Sequence, residues 1–279
     1  MNHARPDTAV SVLRDVLTQQ LGATEVRVLL ANYQLTAVRP ILDGDERVPL
    51  DHTAAGAAFT TQEPVVLSDH AGESRLPSGE RARRPRRCPP QVTAPATVLE
   101  KRLDQLTDLA TLAGYALTAT SRHTDLLHRA ARSRRMTLAA ELQWQLLPAR
   151  GCLAPEYELA GHLEPAYAVY ADNFDWSEDE GHLLVGITDA ANHARSTPLL
   201  TTLSVTAARN ARRGGLGIAE QAAMADQAVY THHQGDHSVD AIFMTIDIAT
   251  GRASALKAGS PAVVLLREGA LHPIGLTDQ

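Results

Sequence analysis

Apolar residues in the first seventy positions switch repeatedly between helical spacing and strand spacing. In chain order, this pattern predicts a helix over residues 8–21 that ends at Gly22, strands over 25–30 and 33–38, a helix of small residues over 53–59 and a strand over 65–67. Helix, two strands, helix and strand in this order predict a small α+β sensory module over residues 1–70.

Arginine and proline dominate the next segment, residues 71–96. Arginines occupy positions 75, 81, 83, 84, 86 and 87 among prolines, glycines and serines. Such a composition buries too little apolar surface to offset the entropy lost on ordering, so it predicts a disordered segment. A solvated loop and a tether for an anionic partner are both open, and the lack of nearby aromatic residues favours the loop.

A heptad spacing of apolar residues follows over residues 97–148. Its positions are Leu99, Leu103, Leu106, Ala110, Ala113 and Leu117, and the pattern resumes from Leu127 to Leu146 before Pro148 ends it. The spacing predicts a helical linker that joins two copies as a coiled-coil homodimer. The alternative is that these helices pack on their own domains.

Strands and helices alternate again over residues 149–279. The pattern predicts strands over 157–163, 182–188 and 239–248, helices over 197–212 and 218–232, and hairpin strands over 252–257, 262–266 and 270–274. Because hairpins predominate, the expected sheet is antiparallel with helices packed on it. The fold class of the whole chain is therefore expected to be α+β.

Charge and cysteine content narrow the possible functions. The chain has 279 residues, a formal net charge of −6 and two cysteines, Cys88 and Cys152. A net negative charge disfavours a basic nucleic-acid binder, and two distant cysteines exclude a disulfide framework. No apolar run approaches the roughly 18 residues of a membrane span. We therefore expect a cytoplasmic protein with neither nucleic-acid nor membrane partners.

Acidic residues at strand ends are the first candidates for chemistry. Asp172 and Asp175 follow a strand-like stretch over 166–170, and Asp189 ends the strand over 182–188. Carboxylates that converge beside a sheet make a hard oxygen site suited to Mg²⁺ or Mn²⁺. Aspartate is also common in ordinary turns, so spacing alone leaves both interpretations open.

Histidines cluster in a second place, the segment Thr231–His237. Three histidines and one aspartate there have side chains that suit zinc or nickel. His232 and His233 are adjacent and point apart on a helix or strand, which favours a surface segment without a metal.

Three groups of residues resemble the start of a known domain. Leu138–Pro148 ends in QLLP, Glu164–Val169 reads EPAYAV, and the acids of Ala171–Asp175 follow. Together with Thr188-Asp189, Asp247–Gly251 and Ala258–Leu266, they resemble a PPM-type serine/threonine phosphatase domain of the SpoIIE/RsbU kind. Residues 8–68 resemble a degenerate GAF domain.

The resemblance implies a function and roles for single residues. It implies Mg²⁺- or Mn²⁺-dependent hydrolysis of phosphoserine or phosphothreonine on a signalling protein, such as an anti-sigma-factor antagonist in a bacterial stress response. Asp172 and Asp189 are the implied metal ligands, and Ala190 is implied to lend its backbone carbonyl. Asp175 is implied to orient the first metal site.

Departures from the family pattern leave a second hypothesis. Tyr170, Ala171, Asn192 and Ala194 replace loop glycines, and Ser260 replaces a histidine. The family's later metal acids would lie beyond Gln279, so a C-terminally truncated β-sandwich is expected, and whether 279 is the true C-terminus stays open. The alternative function is an inactive pseudophosphatase that acts as a dimeric binding module.

Overall fold

The computed structural model describes residues 5–42, 44, 46–61, 64–68, 73–77, 90–164, 167, 172–190, 197–259 and 261–276. The chain divides into two compact units. The N-terminal unit comprises Met1–Arg135 and Gly151–Ala160, and the C-terminal unit comprises Met136–Arg150 and Gly161–Gln279.

The N-terminal unit is a sheet with helices against it. Its elements in chain order are α1 (Ala9–Leu21), β1 (Glu25–Ala31), β2 (Ala37–Pro40), β3 (Val48–Pro49), α2 (Ala54–Thr61), β4 (Leu67–Ser68), β5 (Glu73–Pro77), β6 (Pro90–Pro95), α3 (Ala96–Thr120), α4 (Leu126–Ala131), β7 (Gly151–Leu153) and β8 (Glu158–Ala160). Six described strands pair in the order β3-β2-β1-β6-β5-β4, and every pair is antiparallel. β7 and β8 form a separate hairpin.

Side-chain alternation along β1 builds a core on each face of this sheet. Val26, Val28 and Leu30 join a large apolar cluster with α1, α3 and α4. Leu29 and Ala31 point the other way and pack in a smaller cluster with Phe59 of α2. The predicted helix over 8–21 and strand over 25–30 are thus confirmed. α1 ends as predicted, because Gly22 takes φ 71° and its N–H donates to the Leu17 carbonyl.

The prediction of a disordered segment over residues 71–96 is wrong at both ends. β5 and β6 lie there and pair with each other, and β6 also pairs with β1 in the middle of the sheet. Val92 and Ala94 supply the apolar residues, and both are buried. Sheet pairing therefore orders a polar stretch through its backbone. Residues 78–89, with five of the six arginines, lie outside the described residues.

The apolar seam predicted to join two copies packs inside the N-terminal unit instead. Leu99, Leu106, Ala113 and Leu117 of α3 are buried in the same cluster as α1 and β1. The segment 97–148 is also not one linker, because α3 and α4 belong to the N-terminal unit and α5 (Leu138–Leu146) belongs to the C-terminal unit. Heptad spacing identifies the apolar face of a helix, but it does not identify the residues that pack against that face. The homodimer itself stays a prediction, now without this seam as its basis.

A second antiparallel sheet forms the centre of the C-terminal unit. After α5, its elements are β9 (Asn173–Asp179), β10 (His182–Asp189), α6 (Thr197–Arg213), α7 (Ile218–His233), β11 (Asp240–Asp247), β12 (Ala253–Ala258), β13 (Val264–Arg267) and β14 (Ala270–Pro273). The sheet has the order β12-β11-β10-β9, and β13 pairs with β14 as a separate hairpin. The predicted antiparallel pairing is confirmed.

Helices cover one face of this sheet. Ala208 of α6 and Ala225 of α7 pack against Ala241 and Phe243 of β11. On the opposite face of β9, Phe174 packs against a cluster that includes Ala140 and Trp144 of α5. Mixed helix and sheet in both units agrees with the expected α+β class. A sandwich of two large sheets does not form among the described residues of this unit.

Within the part of the chain that the structure describes, no helix is both long enough and apolar enough to cross a bilayer.

Candidate functional site

Asp172 and Asp189 lie side by side at one end of the four-stranded sheet. In the antiparallel register of β9 and β10, Asn173 is opposite Thr188. One step further along the register, Asp172 reaches the position opposite Asp189, which ends β10. The two carboxyl groups lie within hydrogen-bond reach of each other. The structure therefore brings together the two residues that the resemblance implies as metal ligands.

The closeness of these carboxyl groups affects their protonation. Partial burial of the Asp172 carboxyl, together with its hydrogen bond to Asp189 and the negative charge of that residue, raises the pKa of Asp172 above its usual range. Two carboxylates at this separation repel each other unless a proton or a cation lies between them. The pair is therefore arranged to bind positive charge.

Asp175 lies elsewhere, on the opposite face of β9. Its carboxylate accepts hydrogen bonds from Arg209 at 2.7 and 3.1 Å and from Arg212 at 2.8 Å. Arg209 also donates to the carbonyl of Leu146, at the end of α5. The side chain of Asp175 is 11% exposed. The structure thus places this predicted site residue in an ion pair that joins β9, α5 and α6, away from the Asp172–Asp189 pair.

Ala190 and Asp240 are the neighbours of Asp189. Ala190 is buried in an apolar cluster with Leu200 and Val229. Asp240 begins β11 directly opposite Asp189, and its carboxyl lies against Gly259, where an added Cβ would come within 2.2 Å of it. Sequence reasoning missed Asp240. The sequence shows only an aspartate near the start of the strand expected over 239–248, and the pairing of that strand with β10 comes from the structure.

Arg209 and Arg212 were also missed. They are three positions apart on α6, so both face the sheet from one side of the helix. The sequence shows two arginines at helical spacing, but their partner Asp175 lies 34 and 37 positions earlier and only the structure brings it to them.

The donors near Asp189 suit one hard cation better than two. Two carboxylates, with the carbonyl that the resemblance implies at Ala190, provide oxygen ligands of the kind that Mg²⁺ uses while it keeps several waters. Among the described residues, no group of three histidine, cysteine, aspartate or glutamate side chains converges to hold a metal ion. The donor set therefore fits a single cation with a partly aqueous shell.

The histidine segment shows no metal geometry. His232 and His233 belong to the last turn of α7, and His232 hydrogen-bonds the carbonyl of Ala228 through its Nδ1. The rings of His233 and His237 meet edge to face, with centroids 5.0 Å apart. Among the described residues, no third histidine, cysteine, aspartate or glutamate side chain converges with these rings.

Several positions from the sequence comparison lie outside the described residues. They are Tyr170, Ala171, Asn192, Ala194 and Ser260, together with most of the strand expected over 166–170. The predicted loop substitutions at these positions stay untested.

Part of the C-terminal unit matches the model of a known protein family. Residues 179–276 match the model of stage II sporulation protein E, SpoIIE. The matched residues lie within the C-terminal unit. The matched range includes Asp189 and Ala190, and it begins after Asp172 and Asp175.

Other comparisons add little. A crystal structure of a stage II sporulation E family protein from Thermanaerovibrio acidaminovorans aligns with a TM-score of 0.33 and 13% identity. The alignment covers 37% of this chain and 52% of that one, so the chain spans about half the length of that structure. No curated protein matches the chain.

Proposed function

We propose that this protein is a phosphatase-like regulator of the SpoIIE/RsbU type, which hydrolyses phosphoserine or phosphothreonine on a signalling protein with the help of Mg²⁺ or Mn²⁺. One observation supports this most directly: the carboxyl groups of Asp172 and Asp189 meet at adjacent strand ends. The match of residues 179–276 to SpoIIE supports the domain type. An anti-sigma-factor antagonist in the cytoplasm is the proposed class of substrate.

Roles follow from the contacts of each residue. Asp172 and Asp189 would hold the cation, and the carbonyl of Ala190 would complete their set. When bound, such a cation neutralises charge on a phosphoryl group and makes a bound water more acidic. Asp175, through Arg209 and Arg212, holds β9 against α6 and so fixes the strand that leads from Asp172.

A binding module without turnover is the second candidate. The lack of a third converging acid among the described residues favours it, because a two-cation cluster needs more ligands than two carboxylates supply. In this hypothesis the N-terminal unit is a degenerate GAF-like sensor. The C-terminal unit binds a partner protein, which receives the signal. A homodimer is compatible with either candidate.

Loss of one carboxylate separates the two candidates. We expect the full chain to hydrolyse p-nitrophenyl phosphate with Mn²⁺, and Asp172→Asn or Asp189→Asn to lower kcat/KM by on the order of a hundredfold, as for the loss of one charge-stabilising group. Asp226→Asn, on the exposed side of α7, is the matched control and should keep full activity.

Metal binding by itself is measured separately from turnover. If Mn²⁺ raises the melting temperature of the wild type but not of Asp189→Asn, the cation site is real whether or not turnover is seen. If Mn²⁺ produces neither turnover nor a thermal shift, the phosphatase proposal is wrong and the binding module remains.

A further inference from the structure

A small cavity lies on the face of the four-stranded sheet opposite to the acid pair, next to the strand ends that carry the acids. It lies between the four-stranded sheet and the helices α6 and α7, and its volume is about 20 Å³. Most of its lining is apolar, and its polar side chains are Asn173, Asp175 and Thr188 from the sheet and Arg212 and Gln221 from the helices. Because successive side chains of a strand point to opposite faces, Asn173 and Thr188 face this cavity while Asp172 and Asp189 face away from it.

Asn173 and Thr188 have polar atoms without a partner. They are 2% and 4% exposed, and both amide atoms of Asn173 and the hydroxyl of Thr188 make no hydrogen bond among the described residues. The two side chains are directly opposite in the register of β9 and β10. A buried polar group that stays unpaired typically costs more than one net hydrogen bond contributes. Three such atoms around one cavity therefore need a common explanation.

The cavity has room for a single water molecule, and Asn173 and Thr188 offer it polar partners in a lining that is otherwise mostly apolar. A water needs roughly 10–15 Å³ of accessible volume and two to four polar partners, and the cavity provides about 20 Å³. The Asn173 Oδ1 accepts a hydrogen bond and its Nδ2 donates one, while the Thr188 hydroxyl can do either. One water can thus satisfy atoms on both strands.

We propose that one buried water molecule links Asn173 to Thr188, and that this link makes the two side chains positioning residues for Asp172 and Asp189. Each member of the polar pair is the chain neighbour of one acid. A link between β9 and β10 at this step fixes the separation of the strand ends at the next step, where the acids meet. The positioning role rests on the proposed function, whereas the water link does not.

Substitution by apolar residues of similar shape tests the water link, because the direction in which the unfolding equilibrium constant changes depends on whether the link exists. If the water satisfies both residues, Thr188→Val and Asn173→Leu should each raise the unfolding equilibrium constant roughly fivefold to tenfold, since each leaves the other residue unsatisfied. The double variant should raise it by less than the product of the two single effects. If either single variant leaves the constant unchanged or lowers it, no water links these atoms and the proposal is overturned.

Fluorescence measures this unfolding in the correct unit, because Trp144 and Trp176 are the two tryptophans and both belong to the C-terminal unit. Thr188→Ser keeps the hydroxyl and serves as the milder variant, which should retain the coupling to Asn173. Thr245→Val, at a half-buried threonine of β11 that does not line the cavity, is the matched control.

Manganese affinity tests the positioning role. Thr188→Val should weaken Mn²⁺ binding by about tenfold, as loss of a residue that orients a ligand commonly does, while Thr188→Ser and Thr245→Val keep the wild-type Kd. An unchanged Kd in Thr188→Val overturns the positioning role. If the wild type binds no Mn²⁺, the proposed function fails, and the unfolding measurement still decides the water link.

Discussion

Asp172 and Asp175 belong to one short acidic segment, yet the structure gives them different environments. Asp172 meets a second carboxyl group at the sheet end, whereas Asp175 meets two guanidinium groups beneath the helices. The difference follows from the two faces of β9, because one face looks toward α6 and the other does not. Residue type alone would have assigned both to the same cation.

Neutralising Asp175 should therefore affect stability. Its side chain is 11% exposed and those of Arg209 and Arg212 are 18% and 17% exposed. Asp175→Asn leaves two largely buried positive charges without their partner, and the loss of one member of a buried ion pair costs about 3 kcal/mol. We expect the free energy of unfolding, measured in urea by tryptophan fluorescence, to fall by that amount.

Glu164→Gln is the matched control for this prediction. Glu164 pairs with His162 at 3.3 Å, and both side chains are about half exposed, so its loss should have little effect on stability. If Asp175→Asn unfolds like the wild type while Mn²⁺ binding weakens, Asp175 acts at the cation site and its role as an anchor is wrong.

At the scale of elements, α3 shows how an apolar seam can be misassigned. Its heptad positions are covered by α1 and β1 of the same unit. Leu112 and Tyr115, on the other side of the helix, are 59% and 47% exposed. The helix is thus a component of the N-terminal core with an open outer face.

The seam residue Leu106 should stabilise the N-terminal unit and not an interface. Leu106 is 3% exposed, and Leu106→Ala should lower the free energy of unfolding by about 2–4 kcal/mol because it leaves a cavity. Leu112→Ala, on the exposed side of the same helix, should change it by less than about 0.5 kcal/mol. Circular dichroism during urea unfolding measures both.

Sedimentation of the same variants tests the homodimer prediction. Both variants should keep the oligomeric state of the wild type. Dissociation of a wild-type dimer by Leu106→Ala, without loss of stability, would show that the seam joins two copies after all.

At the scale of the whole molecule, the hairpin of β13 and β14 exposes much apolar surface. Val264, Leu266, Leu271 and Ile274 are 53%, 66%, 71% and 42% exposed. Leu266 is directly opposite Leu271. Apolar side chains this exposed contribute little to folding through burial, since water already reaches them.

Polar substitutions in the hairpin should therefore be tolerated. Leu266→Ser and Leu271→Ser should change the free energy of unfolding by no more than about 1 kcal/mol, the size of a cross-strand pair. The binding of a hydrophobic dye should fall at the same time. Leu200→Ser is the control, because Leu200 is fully buried and its change should destabilise the unit strongly. A loss comparable to that control would mean that these leucines are buried in solution.

Local spacing in the sequence determined most of the elements around the site. The helices over 197–212 and 218–232 and the strands over 182–188 and 239–248 were predicted within two residues of their observed ends. These elements have long, regular patterns, and periodicity is a property of neighbouring residues that needs no knowledge of the fold. Asp189 was likewise visible as a strand-end carboxylate. Asp172 and Asp175 were expected after a strand over 166–170, and the structure instead places Asp172 just before β9 and Asp175 inside it.

Only the tertiary structure decided which residues meet. Register placed Asp189 beside Asp172 and Asp240, packing placed the α3 seam inside its own unit, and pairing with β1 ordered β6 despite its composition. Each of these depends on contacts between residues far apart in the chain. Sequence determined the apolar and polar faces of each element, but only the assembled sheet and helices could determine what each face touches, because that choice is made by the packing of the whole unit.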